Sequence, residues 1–393
     1  MRIGIVVAEF PSYSETFFAN KVIGLCERGH DVVVFRSVRN TDKILEDIYR
    51  FSNYPNLQIV TLDLRQSVSG IIKTILNYPI AWIKSFDTDL SVIKKKVFDN
   101  LCKIYFKKHA CEVYHFGYSG LAISYLSLFD SLKGKTMVSC LGTAEKVKPV
   151  SELNRIDKLK MLFDKTDSIH CVSSNMAETI KKFGAPVNKM YINRPAIDTG
   201  FFSPKNEYKQ REKIQILSIG RLVFQKGFLI GILAIQDLKK QFPGFTWKIV
   251  GEGPGREELF FHIHNLGLAD HVELMGKKTK DDVVEIYSQS DIFFLPSVCE
   301  GIANVVLEAM AMHLPVVSSM SGGMDEAITH EVDGILVENY NRSLMTKHLY
   351  DLCNNFEKRK RLGAEAKKTI EEKFSLKRYI DVFESEYVKL TGN

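Results

Sequence analysis

Short runs of β-branched and other apolar residues alternate with helix-length segments along nearly the whole chain, and the alternation begins twice. The first series runs IGIVV (3–7), a helix-like segment from about 15 to 29, DVVVF (31–35), EVYHF (112–116), TMVSC (136–140) and SIHCVS (168–173). The second runs IQILSIG (214–220), FTWKIVG (245–251), HVELMG (271–276), DIFFLP (291–296), PVVSS (315–319) and GILV (334–337). Apolar runs of four to seven residues spaced by helices are what a parallel sheet demands when helices cover both its faces. The pattern therefore predicts an α/β chain with two doubly wound domains. Pro195, Gly200 and Pro204 in the polar stretch 194–213 mark a linker between them. The expected division is 1–200, 201–374 and a last helix in 375–393. Tyr379, Phe383 and Tyr387 share one face of that helix, so it must be buried against something. It is expected to cross back to the first domain.

With 393 residues, 45% of them hydrophobic and 25% charged, the chain has enough apolar surface for such cores, and disordered or collagen-like classes are excluded. Its seven cysteines (26, 102, 111, 140, 171, 299, 353) never form a Cys-x-x-Cys pair, so neither a disulfide framework nor a zinc site is indicated. The N-terminal apolar stretch is broken by Glu9, and no window reaches the span of a bilayer, so a cytoplasmic location is expected. The net charge of +6 is uneven: residues 1–200 hold 28 Lys+Arg and 20 Asp+Glu, leaving 25 and 27 for the remainder. Within the basic half, 65–108 mixes nine basic and three acidic residues with Trp82, Tyr78 and Phe98. That composition suits either a helix on an anionic membrane surface or a plain solvated face. No nucleic-acid-binding motif is present.

Ligands of open parallel sheets bind beyond the carboxyl ends of the strands, so the strand-to-helix loops are where chemistry is expected. SIGRLVFQKGF (218–228) sets Arg221 and Lys226 around a turn at such an end, before a helix starting near Gly227. Two cations there suit a diphosphate, although taken alone they are also an ordinary cationic surface. LPSVCEGIANVVLEAMA (295–311) places Glu300 at a helix entrance and Glu308 eight residues on. Gly301 has no side chain, so the N–H groups of Ile302, Ala303 and Asn304 are candidates to face phosphate oxygens. A glutamate that merely complements the helix dipole is the structural alternative. VGEGPG (250–255) is not a dinucleotide fingerprint, because Arg256 falls where the third glycine belongs.

GRLVFQKGF, VGEGPGREEL, LPSVCEGIANVVLEAMA and SGGMDEA together resemble, in order, the motifs of the retaining nucleotide-sugar glycosyltransferases of family four, spread over about 120 residues. The resemblance implies the GT-B fold, two facing Rossmann-like domains with an interdomain cleft: an acceptor domain first, a donor domain second. Residue by residue, it implies that Arg221 and Lys226 hold the donor diphosphate, Glu300 the hydroxyls of the donor sugar and Glu308 the ribose. FPSYSETFF (10–18), RGHDVVVF and HFGYSG (115–120) are similar to the subgroup that builds bacterial exopolysaccharides, capsules and O-antigens. That likeness puts Ser14, Glu15 and Thr16 on the acceptor side and gives His115 a place at the sugar's reacting face. Ser12 and Glu15 also have capping-box spacing, a purely structural reading.

Two positions depart from the pattern. Leu141-Gly142 stands where many relatives carry His-Gly or Arg-Gly, and His313 stands where a left-handed helix end usually takes glycine. The DTD at 87–89 reads as a helix cap.

The expectation is thus a metal-independent hexosyltransferase without cofactor, moving a sugar with retention from a nucleoside diphosphate sugar to a saccharide acceptor, free or lipid-pyrophosphate-linked. Peripheral attachment to the inner face of the plasma membrane goes with it. The competing readings are a non-catalytic nucleotide-sugar-binding protein and a dinucleotide-dependent oxidoreductase or epimerase, which the absence of a glycine fingerprint after the first strand disfavours.

Overall fold

A computed structural model describes residues 1–11, 16–38, 51, 53–62, 90–204 and 209–392. The chain divides into two compact units: Met1–Cys171 with Ala177–Asn193 and Ile380–Asn393, and Val172–Met176 with Arg194–Tyr379.

The first unit holds a seven-stranded sheet of order β3-β2-β1-β4-β5-β6-β7, parallel throughout. Its strands are β1 (Arg2–Glu9), β2 (Asp31–Val38), β3 (Leu57–Thr61), β4 (Val113–Phe116), β5 (Lys135–Cys140), β6 (Ser168–Cys171) and β7 (Met190–Ile192). Ile5 pairs with Val34 on one side and His115 on the other, so the strand order reverses at β1. Ile3, Ile5, Val6 and Val7 have no exposed surface, as a strand covered on both faces requires. Ile380 onward in the helix Leu376–Thr391 belongs to this unit, where the Ile380 side chain fills the space beside Gly24 and Glu384 pairs with Arg28 and His30.

The second unit holds a six-stranded parallel sheet of order β10-β9-β8-β11-β12-β13. Its strands are β8 (Ile214–Ile219), β9 (Phe245–Val250), β10 (Val272–Gly276), β11 (Ile292–Leu295), β12 (Val316–Ser319) and β13 (Ile335–Val337). Trp247 is fully buried, its indole N–H donating to Ser218 Oγ at 2.8 Å. Asp291, also fully buried, accepts from the Gln215 N–H and pairs with Arg211, tying the start of β8 to that of β11. The predicted linker is partly packed rather than loose: Ile197 is 5% exposed and its N–H donates to the carbonyl of Phe374. His313 has φ 61°, the left-handed helix end expected of that position.

Candidate active site

In the second unit the loops at the carboxyl ends of β8, β11 and β12 interlock through their backbones. Val298 N–H donates to the Gln225 carbonyl at 2.8 Å, and Gly323 N–H to the Gly301 carbonyl at 2.6 Å. Two glycines are dictated by this closeness. A Cβ on Gly227 (φ 63°) would lie 2.0 Å from the Pro296 carbonyl oxygen, and one on Gly322 (φ 69°) 2.0 Å from that of Glu300.

On this frame Lys226 Nζ meets Glu300 Oε1 at 2.7 Å, with both side chains largely buried. The chain thus joins, across 74 residues of sequence, the two groups assigned to a donor's diphosphate and sugar. Arg221 stands exposed on the same loop. Glu308 accepts from the Tyr287 hydroxyl at 3.0 Å. Burial pushes its carboxyl up to about 7, against the opposing pull of Tyr287, Lys280 and Lys226. Burial likewise raises Tyr287, and the Glu308 charge adds to it.

The helix after β11 departs from expectation. It runs Asn304–Ala311, with Ala303 as its cap, so Glu300 and Gly301 precede it in an irregular loop rather than standing at its entrance. Of the three proposed phosphate donors, Ala303 N–H is taken by Met324 Sδ at 3.4 Å, and Ile302 lies in the buried loop. Asn304 is the first helical residue, whose N–H no carbonyl of its own helix can accept.

Sequence reasoning passed over Glu326. Its Oε2 accepts from Arg194 Nη2 at 2.6 Å, Arg194 Nε at 3.0 Å and Ser174 Oγ at 3.1 Å, while Oε1 accepts from the Asn175 N–H at 3.1 Å. Burial raises this carboxyl, and these donors outweigh it, leaving it below the usual carboxylate value. The only signal was its place three residues after the Gly322–Gly323 pair.

In the first unit His115 is a core residue, which corrects its assignment to a reacting sugar. It has no exposed surface; its Nε2 bonds Ser139 Oγ and its Nδ1 the Tyr387 hydroxyl, each at 2.7 Å. Ser139 Oγ continues to His170 Nδ1 at 2.8 Å, and His170 Nε2 to the Asn193 carbonyl at 2.8 Å. That carbonyl can only accept, so the direction of the whole chain follows: His170 donates to it, Ser139 to His170, His115 to Ser139, Tyr387 to His115. Both imidazoles are neutral in this arrangement. Burial pushes His170 down to about 3 and His115 well below its ordinary value, with the Lys21 charge adding to both. Lys21 Nζ lies 3.3 Å from His115 Nδ1 and 4.5 Å from the Phe383 ring centre, and no carboxylate pairs with it among the described residues. Burial lowers its amine to about 7.

The loop after β5 is organised by the buried carboxylate of Glu145, which accepts from Ser119 Oγ and the Gly142 N–H. Ser14 and Glu15 lie outside the described residues. Thr16 begins the helix Thr16–Glu27, but its side chain is likewise outside them, as are the DTD at 87–89 and most of the basic stretch before the helix Leu90–Lys108. Among the described residues no helix is long and apolar enough to cross a membrane, and no group of three or more His, Cys, Asp or Glu side chains converges as a metal site would.

Two doubly wound parallel sheets, the second carrying cations and carboxylates at its carboxyl ends, are the GT-B architecture. A glycosyltransferase from Rickettsia africae superposes with a TM-score of 0.76 at 16% identity, covering 100% of this chain and 99% of that one. Anabaena HepE, solved with UDP and glucose, gives 0.77 at 13% identity, covering 99% and 100%. Residues 201–369 match the family model described as glycosyl transferases group 1, so the chain carries a glycosyl transferases group 1 domain in that stretch. Over nearly its whole length it is similar to WcaL of Escherichia coli, named for colanic acid biosynthesis (28% identity, covering 88% of this chain and 89% of that protein). It is equally similar to the amylovoran biosynthesis glycosyltransferase AmsK of Erwinia amylovora (28%, 86% and 86%).

Proposed function

We propose that this glycosyltransferase moves a sugar from a nucleoside diphosphate sugar to a saccharide acceptor, with retention at the anomeric carbon, in the building of a surface polysaccharide. The observation that carries the reading is the Lys226–Glu300 pair at 2.7 Å, with Glu308 near enough for the Lys226 charge to act on its carboxyl. This supports the reading because the residues that the resemblance assigns to diphosphate, sugar and ribose interact with one another. The bond from the anomeric carbon to the β-phosphate oxygen breaks and its electron pair leaves with the diphosphate, whose charge Lys226 and Arg221 receive. The acceptor hydroxyl oxygen bonds the same face of that carbon and gives its proton to the departing phosphate. No protein nucleophile, metal or cofactor is assigned to this step. The polysaccharide context rests on the names of WcaL and AmsK. A lipid-pyrophosphate-linked acceptor, held on the first unit at the inner face of the plasma membrane, fits that context and the basic stretch 65–108.

The test is to incubate the full chain with a panel of nucleotide sugars and follow release of nucleoside diphosphate, with and without lipid-linked saccharide. Release from one donor, accelerated by acceptor and lost in Glu300→Ala while that variant stays folded, is the expected result. Near-native turnover by Glu300→Ala overturns the assignment.

A further inference from the structure

Two segments that are distant from Glu326 in sequence converge on its carboxylate. Ser174 and Asn175 belong to Val172–Met176, a five-residue excursion into the second unit flanked on both sides by first-unit chain, and Arg194 is the residue at which the chain enters the second unit for good. Glu326 therefore grips both places where the main chain passes into this unit before its sheet begins. On its other side Glu326 is tied to the donor loop by backbone alone. Its N–H donates to the Gly323 carbonyl at 3.1 Å, and Gly323 N–H reaches the Gly301 carbonyl. A Cβ on Gly323 would sit 2.6 Å from Ser173 Cβ, so turn and crossing segment are in van der Waals contact with no room for adjustment.

We propose that Glu326 is a positioning residue of the donor loop: it locks the Gly322–Gly323 turn, and through it the backbone of Glu300 and Gly301, to the two crossing segments. This rests on the donor reading above. It makes the setting of Glu300 depend on a carboxylate that itself contacts neither Arg221 nor Lys226. In Glu326→Gln only one acceptor oxygen remains, so either the Arg194 and Ser174 donors or the Asn175 N–H face an NH2, and the clamp weakens while the side chain keeps its volume.

Two measurements on the full chain separate the outcomes. Hydrogen–deuterium exchange, which needs no donor, should speed up in Glu326→Gln at both 298–303 and 172–176; unchanged exchange at 298–303 overturns the proposal even if the donor reading fails. With uridine or guanosine diphosphate, whichever the native chain binds, the Kd should stay within about twofold, because Glu326 contacts neither cation directly. Turnover of the matching nucleotide sugar should fall roughly 10–100-fold, the scale of a reacting group displaced by a fraction of an ångström to an ångström. Asp325→Asn, at the exposed neighbouring position, should change neither. A purely structural Glu326 would lower stability and weaken nucleoside diphosphate binding and turnover together, and that result overturns the proposal.

Discussion

The polar groups at the carboxyl ends of the second sheet and those buried in the first unit are similar in number and opposite in design. In the second unit Arg221 is exposed and Lys226 shares its charge with a carboxylate at a partly open loop, so an incoming anion can compete for both. In the first, His115, Ser139, His170 and Tyr387 satisfy one another in a chain ending on the Asn193 carbonyl, with nothing left over for a ligand. Similar sheets thus hold one polar set poised to exchange partners and another closed on itself. A catalytic group belongs to the first kind, and residue type alone does not tell them apart.

The contrast is broken most severely at Lys226. Lys226→Ala removes the proposed leaving-group cation and its ion pair with Glu300, so turnover should fall about 100–1,000-fold, measured as nucleoside diphosphate release, with the melting temperature nearly kept. A loss below tenfold would mean that the pair is a surface ion pair and no more. His115→Ala should do the reverse. It should cost about 3 kcal/mol in urea unfolding, from the cavity and the two hydrogen bonds lost to Ser139 and Tyr387, and leave the Kd of nucleoside diphosphate unchanged. Weakened nucleotide binding with intact stability would return His115 to the active site.

The strands were readable because both faces of a parallel sheet are buried, which makes each strand a continuous apolar word. The two that escaped notice, β3 and β7, are the edges of the first sheet, and their half-exposed LQIVT and MYI lack that signature. The place of Arg221 and Lys226 in the loop after β8 was readable because the apolar run IQILSI ends just before them. The helix start was misplaced because EGIAN carries no capping side chain before Asn304, and the Ala303 N–H is satisfied instead by a sulfur 21 residues away. Tyr287 and Glu326 were invisible for the same reason: their partners lie 21 and 132–152 residues off, at distances no local pattern encodes. His115 misled because a histidine ending an apolar strand looks the same whether its ring faces substrate or core.

Lys21 sharpens the comparison through pH. An amine lowered to about 7 from 10.5 binds its proton less well folded than unfolded, so stability rises with pH across that window and is lost as pH falls through it. His170, lowered to about 3, adds the same sign between pH 6.5 and 3. Each group contributes at most about 1.4 kcal/mol per pH unit inside its window. Replacing this buried cation, which has no carboxylate partner among the described residues, by an apolar chain, Lys21→Met, should therefore stabilise the protein by about 2 kcal/mol at pH 7 and flatten the rise between pH 8 and 10. Urea titrations at three pH values decide it. An unchanged slope would show that Lys21 is charged and solvated over the whole range, and the first unit's polar chain would then be open rather than sealed.

Tyr387→Phe is the smallest and most discriminating change. It deletes one hydroxyl that donates to His115 Nδ1, while Lys21 Nζ remains 3.3 Å from the same nitrogen as an alternative donor. The lone pair is not orphaned, so the cost should be that of one net hydrogen bond, about 1 kcal/mol. Ser139→Ala, by contrast, cuts the chain in the middle and leaves His115 Nε2–H and His170 Nδ1 both without partners, so it should cost roughly twice as much or more. If the two variants proved equal, Lys21 would not be substituting for the tyrosine.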